Sequence, residues 1–160
     1  MQQKIKSRDE IKKIVNILRE QNKKIVTTNG SFDILHVGHI QSLVDAKKQG
    51  DVLIVGLNSD SSIKQYKSLN RPINPEQNRA LMLAALACVD YVSIFSELNP
   101  NALLRIIKPD FHIKSKSGFT GVEKEAVEES GGKIILQEDI PGLSTSNIIK
   151  KILEAYSRKE

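Results

Sequence analysis

Cysteine and aromatic residues are scarce in this chain: it has one cysteine, no tryptophan and only 4% aromatic residues. A single cysteine excludes an internal disulfide. The sequence also lacks an apolar run long enough to span a bilayer, and its first ten residues contain no apolar signal core. So few aromatic side chains offer no stacking platform for single-stranded nucleic acid. We therefore expect a cytoplasmic protein that binds neither a membrane nor nucleic acid.

The charge balance is moderately basic, with 24 Lys and Arg against 19 Asp and Glu and a net charge of +5. Because acidic residues are interspersed among the basic ones, small anionic substrates explain this excess as well as a nucleic acid does. Nucleic-acid binding stays the weaker alternative, since it requires the basic residues to cluster on one face.

The periodicity of the chain predicts one α/β domain. Strand-like runs alternate with helical patterns, which indicates a Rossmann-like open parallel sheet of about five strands with helices on both faces. A chain of 160 residues with 39% hydrophobic residues is large enough for one continuous core. We predict a single domain over residues 1–160, with its core at 24–156 and an N-terminal helix at about 8–21. The strand-like runs lie at 24–28, 51–57, 91–95, 111–114 and 133–137.

Several helix starts carry a local signature. Ser7 with Glu10 and Thr120 with Glu123 match the S/T-x-x-E capping box. A polar residue followed by proline is also typical of a helix start, and it occurs at 74–75 and 99–100. Only the ends, 1–6 and 157–160, are predicted to lack structure.

The segment His36-Val37-Gly38-His39 lies between the first strand and the helical pattern that follows it. Histidines three apart share a helix face, a glycine between them permits close approach, and free N–H groups at a helix start attract anions. Two imidazoles that donate to one phosphate group would stabilise the charge that builds on its oxygens during attack. The alternative is a helix cap with one packed ring. We expect no metal ligands here, because His112 is the only other histidine and Cys88 stands alone.

Polar clusters follow three of the predicted strands, at 28–33, 58–60 and 114–118. In open parallel sheets, ligands bind beyond these carboxyl ends. Neither GxGxxG after the first strand nor GxxxxGK[ST] anywhere is present, which argues against hydride transfer and P-loop kinase chemistry. A second anion site is suggested at 143–147, where three hydroxyls precede an amphipathic helix, although an ordinary helix cap explains them equally well. Arg79 lies on a nearly apolar helix and is expected to need a partner.

The segments GSFDILHVGHIQSL, NSDSSIK, RPINPEQNRALMLAAL and LSTSNIIKKI together resemble the HxGH nucleotidyltransferases of the cytidylyltransferase-like superfamily. The likeness covers roughly residues 8–153 and is closest to the adenylyltransferase domain of ADP-heptose synthase. It implies that the chain joins ATP to D-glycero-β-D-manno-heptose 1-phosphate, forms ADP-heptose and pyrophosphate, and serves lipopolysaccharide biosynthesis.

The resemblance also implies roles for individual residues. His36 and His39 would contact the triphosphate and stabilise the transition state, and Arg79 would neutralise phosphate charge. Mg²⁺ would be held mainly by phosphate oxygens and water, so no protein ligand is assigned. Asp33, Lys64 and Arg71 would contact the sugar-phosphate substrate. The nucleotide and its phosphates would be bound by Thr28, Asn29, Gly30, Ser31, Phe32, Gly38, Asn58, Asp60, Lys114, Ser144, Thr145 and Ser146.

One segment departs from that family. Its members usually have a Lys-Gly-Gly-Asp-Tyr type sequence after the fourth strand, where this chain reads KSKSGF at 114–119 and lacks the acid. The alternatives are therefore a CTP-dependent cytidylyltransferase for glycerol 3-phosphate or another polyol phosphate, and a nucleotide-binding regulator without turnover. The family's sugar kinase domain does not fit in 160 residues, so a separate kinase is expected. Family members are often dimers, which leaves a homodimer open.

Overall fold

A computed structural model describes residues 1–157 and confirms the predicted Rossmann-like α/β fold. In that part of the chain, five parallel strands are flanked by seven α-helices and a short 3₁₀ helix at Gln2–Lys4. The strands are β1 Ile25–Gly30, β2 Val52–Asn58, β3 Tyr91–Phe95, β4 Phe111–Ser115 and β5 Lys133–Gln137. The helices are α1 Arg8–Glu20, α2 Val37–Lys47, α3 Asp60–Tyr66, α4 Glu76–Ala85, α5 Asn101–Ile107, α6 Lys124–Glu128 and α7 Thr145–Tyr156.

The strand order is β3-β2-β1-β4-β5, so the chain leaves β1 toward one edge of the sheet and returns to build the other edge from β4. Neighbouring side chains of β1 face opposite layers. Val26 packs in the cluster with Leu43 of α2 and Leu83 of α4, whereas Ile25 packs with residues of α1 and α5. β2 is buried along its whole length. This switch point opens a cleft above the carboxyl ends of β1 and β4.

The first six residues are ordered against the sheet, so the prediction that they lack structure was wrong. Ile5 forms a parallel bridge with Val92 of the edge strand β3. The Lys4 ammonium donates to the carbonyl oxygens of Leu86, at 3.1 Å, and Val89, at 2.7 Å. These contacts are distant in sequence and have no local signature. Of the other predicted free end, residues 158–160 lie outside the described residues.

Two helix starts show how local signatures succeed and fail. The Ser7 box is present, with the Ser7 hydroxyl accepting from the Glu10 N–H and the Glu10 carboxylate accepting from the Ser7 N–H. The Thr120 box is wrong, because α6 begins at Lys124 and the Glu123 carboxylate instead pairs with Lys114. A tertiary ion pair has therefore replaced the local cap.

The two proline-marked starts were placed correctly, at α4 and α5. At α5 the Asn99 side-chain oxygen accepts the Asn101 N–H at 3.1 Å. At α4 no side chain caps the helix, since the Asn74 amide donates to the Asp33 carbonyl. Within residues 1–157, no helix has both the length and the apolar character required to cross a membrane.

His112 is fully buried on β4, with Nδ1 2.8 Å from the Thr27 hydroxyl oxygen. Burial, with a smaller contribution from the Lys114 charge, lowers the His112 pKa to about 3. Between the ordinary histidine pKa of about 6.5 and that value, the unfolded chain binds a proton that the folded chain does not. Stability from neutral His112 is thus complete above about pH 6.5 and is lost as the pH falls.

We expect the His112→Gln variant to lose less stability on acidification. Between pH 7.5 and pH 5.0, its loss in free energy of unfolding should be about 2 kcal/mol smaller than that of the unmodified protein. Urea titrations at both pH values measure this difference, and each protein at pH 7.5 is its own reference. An equal loss in the two proteins would contradict the buried neutral state of His112.

Candidate active site

Two adjoining cavities occupy the cleft at the switch point. The first has a volume of about 470 Å³ and the second about 540 Å³. They share four lining residues, so they form one continuous cleft: His39, Ser42, Lys67 and Ser115.

Most of the residues predicted for the site line this cleft. In the first cavity these are Thr28, Asn29, Gly30, Ser31, Phe32, Asn58 and Lys114, together with the shared His39. In the second cavity they are His36, Gly38, Ser144, Thr145 and Ser146. The first group follows β1, β2 and β4, and the second belongs to the starts of α2 and α7. The strand-end rule and the helix-start rule thus lead to the same cleft.

The two histidines are stacked, with ring centroids 3.8 Å apart and an interplanar angle of 22°. His36 is the N-terminal cap residue of α2 in an extended conformation, and His39 lies in the first turn of the helix. Burial lowers the pKa of His36, and burial followed by the charges of His36 and Lys67 lowers that of His39 to about 4. Both rings are therefore neutral near pH 7, and each has one N–H to donate.

Gly38 leaves the space that this stacking requires. A Cβ atom at Gly38 would lie 3.0 Å from His36 Nδ1 and 3.2 Å from Leu143 Cβ. The other wall is formed by Phe32, whose ring centroid lies 5.3 Å from that of His39. Phe32 has a φ of +43°, a strained value for a bulky residue. Glycine at position 38 is thus explained by close packing within the motif.

The start of α7 closes the second cavity. The Ser144 hydroxyl accepts the Asn147 N–H at 3.2 Å, so this residue is a helix cap, as one of the two interpretations predicted. Ser144 also lines the cavity with Thr145 and Ser146. The amino ends of α2 and α7 therefore meet at one space, and free N–H groups at helix starts favour anions there.

The sequence predicted that Arg79 needs a partner on its apolar helix, and the structure supplies several. The predicted contact of Arg79 with phosphate is not possible in this structure. Its side chain has no exposed surface. The guanidinium donates to four groups within the protein: the carbonyl oxygens of Asn74 (2.9 Å), Ser31 (2.5 Å) and Asn58 (2.9 Å), and the Asp60 carboxylate (2.7 Å). Arg79 thus holds the walls of the first cavity and acts as a positioning residue. Asp60 lines neither cavity, because its carboxylate is bound to Arg79.

Asp33 and Arg71 were predicted to contact the substrate, but neither of them lines the cleft. Asp33 is 1% exposed and accepts from Arg71 Nε at 2.7 Å and from the N–H groups of Ile73 and Asn74 at 2.9 Å. Burial alone would raise the Asp33 pKa, but the hydrogen bonds from Asn74 and Ile73 and the Arg71 charge hold it below its usual value. The pair anchors the segment that precedes α4, and neither residue lines a cavity.

Lys67, rather than the predicted Lys64, lines the cleft beside Lys114. Lys64 is exposed and lines neither cavity, whereas Lys67 lines both and its ammonium donates to the Ser31 hydroxyl at 3.0 Å. Burial, followed by the Arg71 charge, lowers the Lys67 pKa. The choice between two lysines three apart depends on where α3 ends, which the sequence pattern did not show. Among the described residues, Lys67 is the cationic side chain that lines both cavities.

Other lining residues were also missed. Ser42 donates to Gln137 Oε1 at 2.6 Å across the second cavity. Glu138 and Asp139 line the same cavity and directly follow β5, so the strand-end rule applied to the last strand would have found them. Asn99, Thr120 and Glu123 reach the first cavity from loops and carry no comparable signal.

No group of three or more His, Cys, Asp or Glu side chains in the described part of the chain is placed to hold a metal ion. The surface where the two cavities meet consists of the His39 imidazole, the hydroxyls of Ser42 and Ser115 and the Lys67 ammonium. That set of donors suits a phosphate ligand.

The sequence is also similar to known proteins. A family model described as cytidylyltransferase-like matches residues 27–155. The chain is 43% identical over 157 residues to the bifunctional protein HldE of Syntrophotalea carbinolica and 46% identical over 160 residues to that of Geobacter metallireducens. It is covered over 97% and 98% of its own length, but it spans only 32% of either relative.

Two solved structures have a similar fold. A lipopolysaccharide core biosynthesis protein from Thermoplasma volcanium matches with a TM-score of 0.62 and 28% identity, over 74% of this chain and 97% of that one. A pantoate-beta-alanine ligase from Francisella tularensis, complexed with beta-gamma ATP and beta-alanine, has a TM-score of 0.60 and 20% identity, over 97% of this chain and 79% of that one. The second likeness concerns the fold alone.

Proposed function

Because the chain belongs to the cytidylyltransferase-like family, we propose that it transfers a nucleoside monophosphate from a nucleoside triphosphate to a phosphorylated acceptor and releases pyrophosphate. The observation that carries this proposal is the stacked pair of His36 and His39, which lies where the starts of α2 and α7 meet. Two imidazole donors and two helix starts converge on a single space. Such convergence suits the several negative charges of a triphosphate.

The reaction is an in-line displacement at the α-phosphorus. An oxygen of the acceptor phosphate forms a bond to that phosphorus, and the bond to the oxygen bridging the α- and β-phosphates breaks. The electron pair leaves with pyrophosphate. An ionised phosphate is already a nucleophile, so no general base is required. The histidine N–H groups stabilise charge on the phosphate oxygens, and the α7 start with Ser144, Thr145 and Ser146 holds the departing phosphates.

The triphosphate enters as its magnesium complex. Mg²⁺ keeps several waters and is usually bound through substrate phosphates and few carboxylates. The protein's own contribution is therefore the placement of donors around the phosphates.

ATP and a heptose 1-phosphate are the substrates that the relatives favour, with ADP-heptose as the product. The support is the identity of more than 40% to the HldE proteins and the likeness to a lipopolysaccharide core biosynthesis protein. A cytidylyltransferase for a polyol phosphate is the second candidate, because the 114–119 loop differs from the usual pattern. The heptose 1-phosphate must itself be supplied by a kinase reaction, in keeping with the bifunctional relatives of which this chain spans about a third.

Pyrophosphate release provides the direct test. We expect magnesium-dependent release with ATP and heptose 1-phosphate, at a rate at least tenfold above that with CTP and glycerol 3-phosphate. Each triphosphate is tested against each acceptor, and the His36→Ala protein is the blank. Activity only with CTP and glycerol 3-phosphate would move the chain to the second candidate. Nucleotide binding without release for any pair would instead indicate a regulator.

A further inference from the structure

A buried ion pair forms one wall of the first cavity. It lies at the end of β4 and the start of α6, whereas the two histidines lie at the start of α2. Lys114 Nζ lies 2.9 Å from Glu123 Oε1 and 3.1 Å from Asn29 Oδ1. The side chains of Lys114 and Glu123 are only 12% and 4% exposed. All three residues line the cavity. The ion pair closes the wall between the end of β4 and the start of α6.

The second oxygen of this carboxylate is unusual. Glu123 Oε2 is buried and has no hydrogen-bond partner in residues 1–157. Leaving a buried charged acceptor unsatisfied costs more than an ordinary hydrogen bond contributes, and such groups are rare in folded proteins. A donor that enters the cavity would remove this cost. Glu123 Oε2 can therefore accept a hydrogen bond from a ligand that carries a donor group.

The Lys114–Glu123 ion pair also limits which ligands suit the first cavity. Because the charges of Lys114 and Glu123 offset each other, this wall has little net charge with which to attract a phosphate. The uncompensated cation is Lys67, at the junction of the two cavities. Asn29, Asn99 and Thr120 add neutral polar groups to the cavity. A ligand that is anionic at one end and rich in hydroxyls at the other matches this distribution.

Resting on the nucleotidyltransferase reaction proposed above, we propose that Glu123 is the residue that selects a polyhydroxylated sugar phosphate as the acceptor. The phosphate of the acceptor lies toward Lys67 and His39, and a ring hydroxyl donates to Glu123 Oε2. Lys114 holds the carboxylate in place, and the Asn29 side-chain oxygen accepts a hydrogen bond from Lys114. This residue supplies, from the start of α6, an acidic group that the 114–119 loop lacks.

The test compares two ligands that share a phosphate but differ in hydroxyls: heptose 1-phosphate and methyl phosphate. Their dissociation constants are measured by calorimetry in the presence of α,β-methylene ATP, so no turnover is needed. We expect Glu123→Gln to weaken heptose 1-phosphate about tenfold, as for a lost hydrogen bond to a charged group, and to leave methyl phosphate within twofold. In the turnover assay, KM for the sugar phosphate should rise about tenfold, while KM for ATP and kcat change less than threefold.

Two further variants separate selection from structure. Glu128→Gln is the matched control, because Glu128 is the last residue of α6, its side chain is 55% exposed, and the change should alter neither dissociation constant. The double variant Lys114→Met/Glu123→Gln removes both charges and leaves no unpaired lysine, and it should show the same selective loss. An equal loss for both ligands, or an unchanged affinity for the sugar phosphate, would overturn the proposal. Selective binding without pyrophosphate release would support Glu123 and count only against the transferase reaction.

Discussion

Replacing His39 by alanine is expected to lower kcat for nucleotidyl transfer by about 100-fold, with His36→Ala similar in size. Each change removes one preformed donor at the α-phosphate, and losses of this kind cost about two to three powers of ten in rate. KM for ATP should change much less, because the helix starts and the α7 hydroxyls still bind the phosphates. The measurement is initial-rate pyrophosphate release at saturating substrates.

The controls for this experiment use the chain's own histidines. His112→Gln removes the one imidazole that lies outside both cavities, and kcat should stay within about threefold. His39→Gln keeps an N–H donor and should lose less activity than His39→Ala. Thermal unfolding of each variant verifies the fold. A folded His36→Ala/His39→Ala protein with a near-normal rate would refute the assigned role.

The positions of strands and turns were predictable because each strand is a short apolar run that ends in polar residues. β2 shows this most clearly, since VLIVGLN at Val52–Asn58 is buried throughout and is followed directly by the polar residues Ser59 and Asp60. Polar residues at such strand ends meet at one edge of a parallel sheet, so local information was enough to assemble Asn29, Asn58 and Lys114. The helix cap at Ser144 was one of two interpretations of that segment. It was predictable for a similar reason, because the partner of Ser144 lies only three residues away.

The errors concern residues whose partners are distant in sequence. Thr120 and Glu123 matched a capping box, yet Lys114 takes the Glu123 carboxylate. Asp33 and Arg71 were predicted to contact the substrate, but they bind each other across 38 positions. A carboxylate in a loop carries no local mark of whether it faces a ligand, a helix start or a buried cation. Such assignments depend on tertiary packing, which the pattern of a single sequence does not contain.

The second large effect concerns Arg79. The Arg79→Met variant keeps much of the side-chain volume but leaves three carbonyl oxygens and the Asp60 carboxylate without their donor. We expect the free energy of unfolding to fall by about 3 kcal/mol, because each buried acceptor loses its partner. Urea titration at pH 7.5 measures this loss. Arg79→Lys restores one or two of the contacts and should lose about half as much.

Arg105→Met is the matched control, since Arg105 is 46% exposed and pairs with Glu129 on the surface, so its loss should stay within about 0.5 kcal/mol. If Arg79 had only a structural role, its replacement would lower the stability of the protein and leave the kinetic constants unchanged. Because Arg79 holds the Ser31 and Asn58 carbonyls, we also expect folded Arg79→Lys protein to show a KM for the acceptor raised at least fivefold, with KM for ATP changed less than twofold. If both KM values stayed unchanged, Arg79 would stabilise the fold without shaping the first cavity. A kcat loss as large as that of His39→Ala, at unchanged KM, would instead restore the direct phosphate contact that the buried guanidinium argues against.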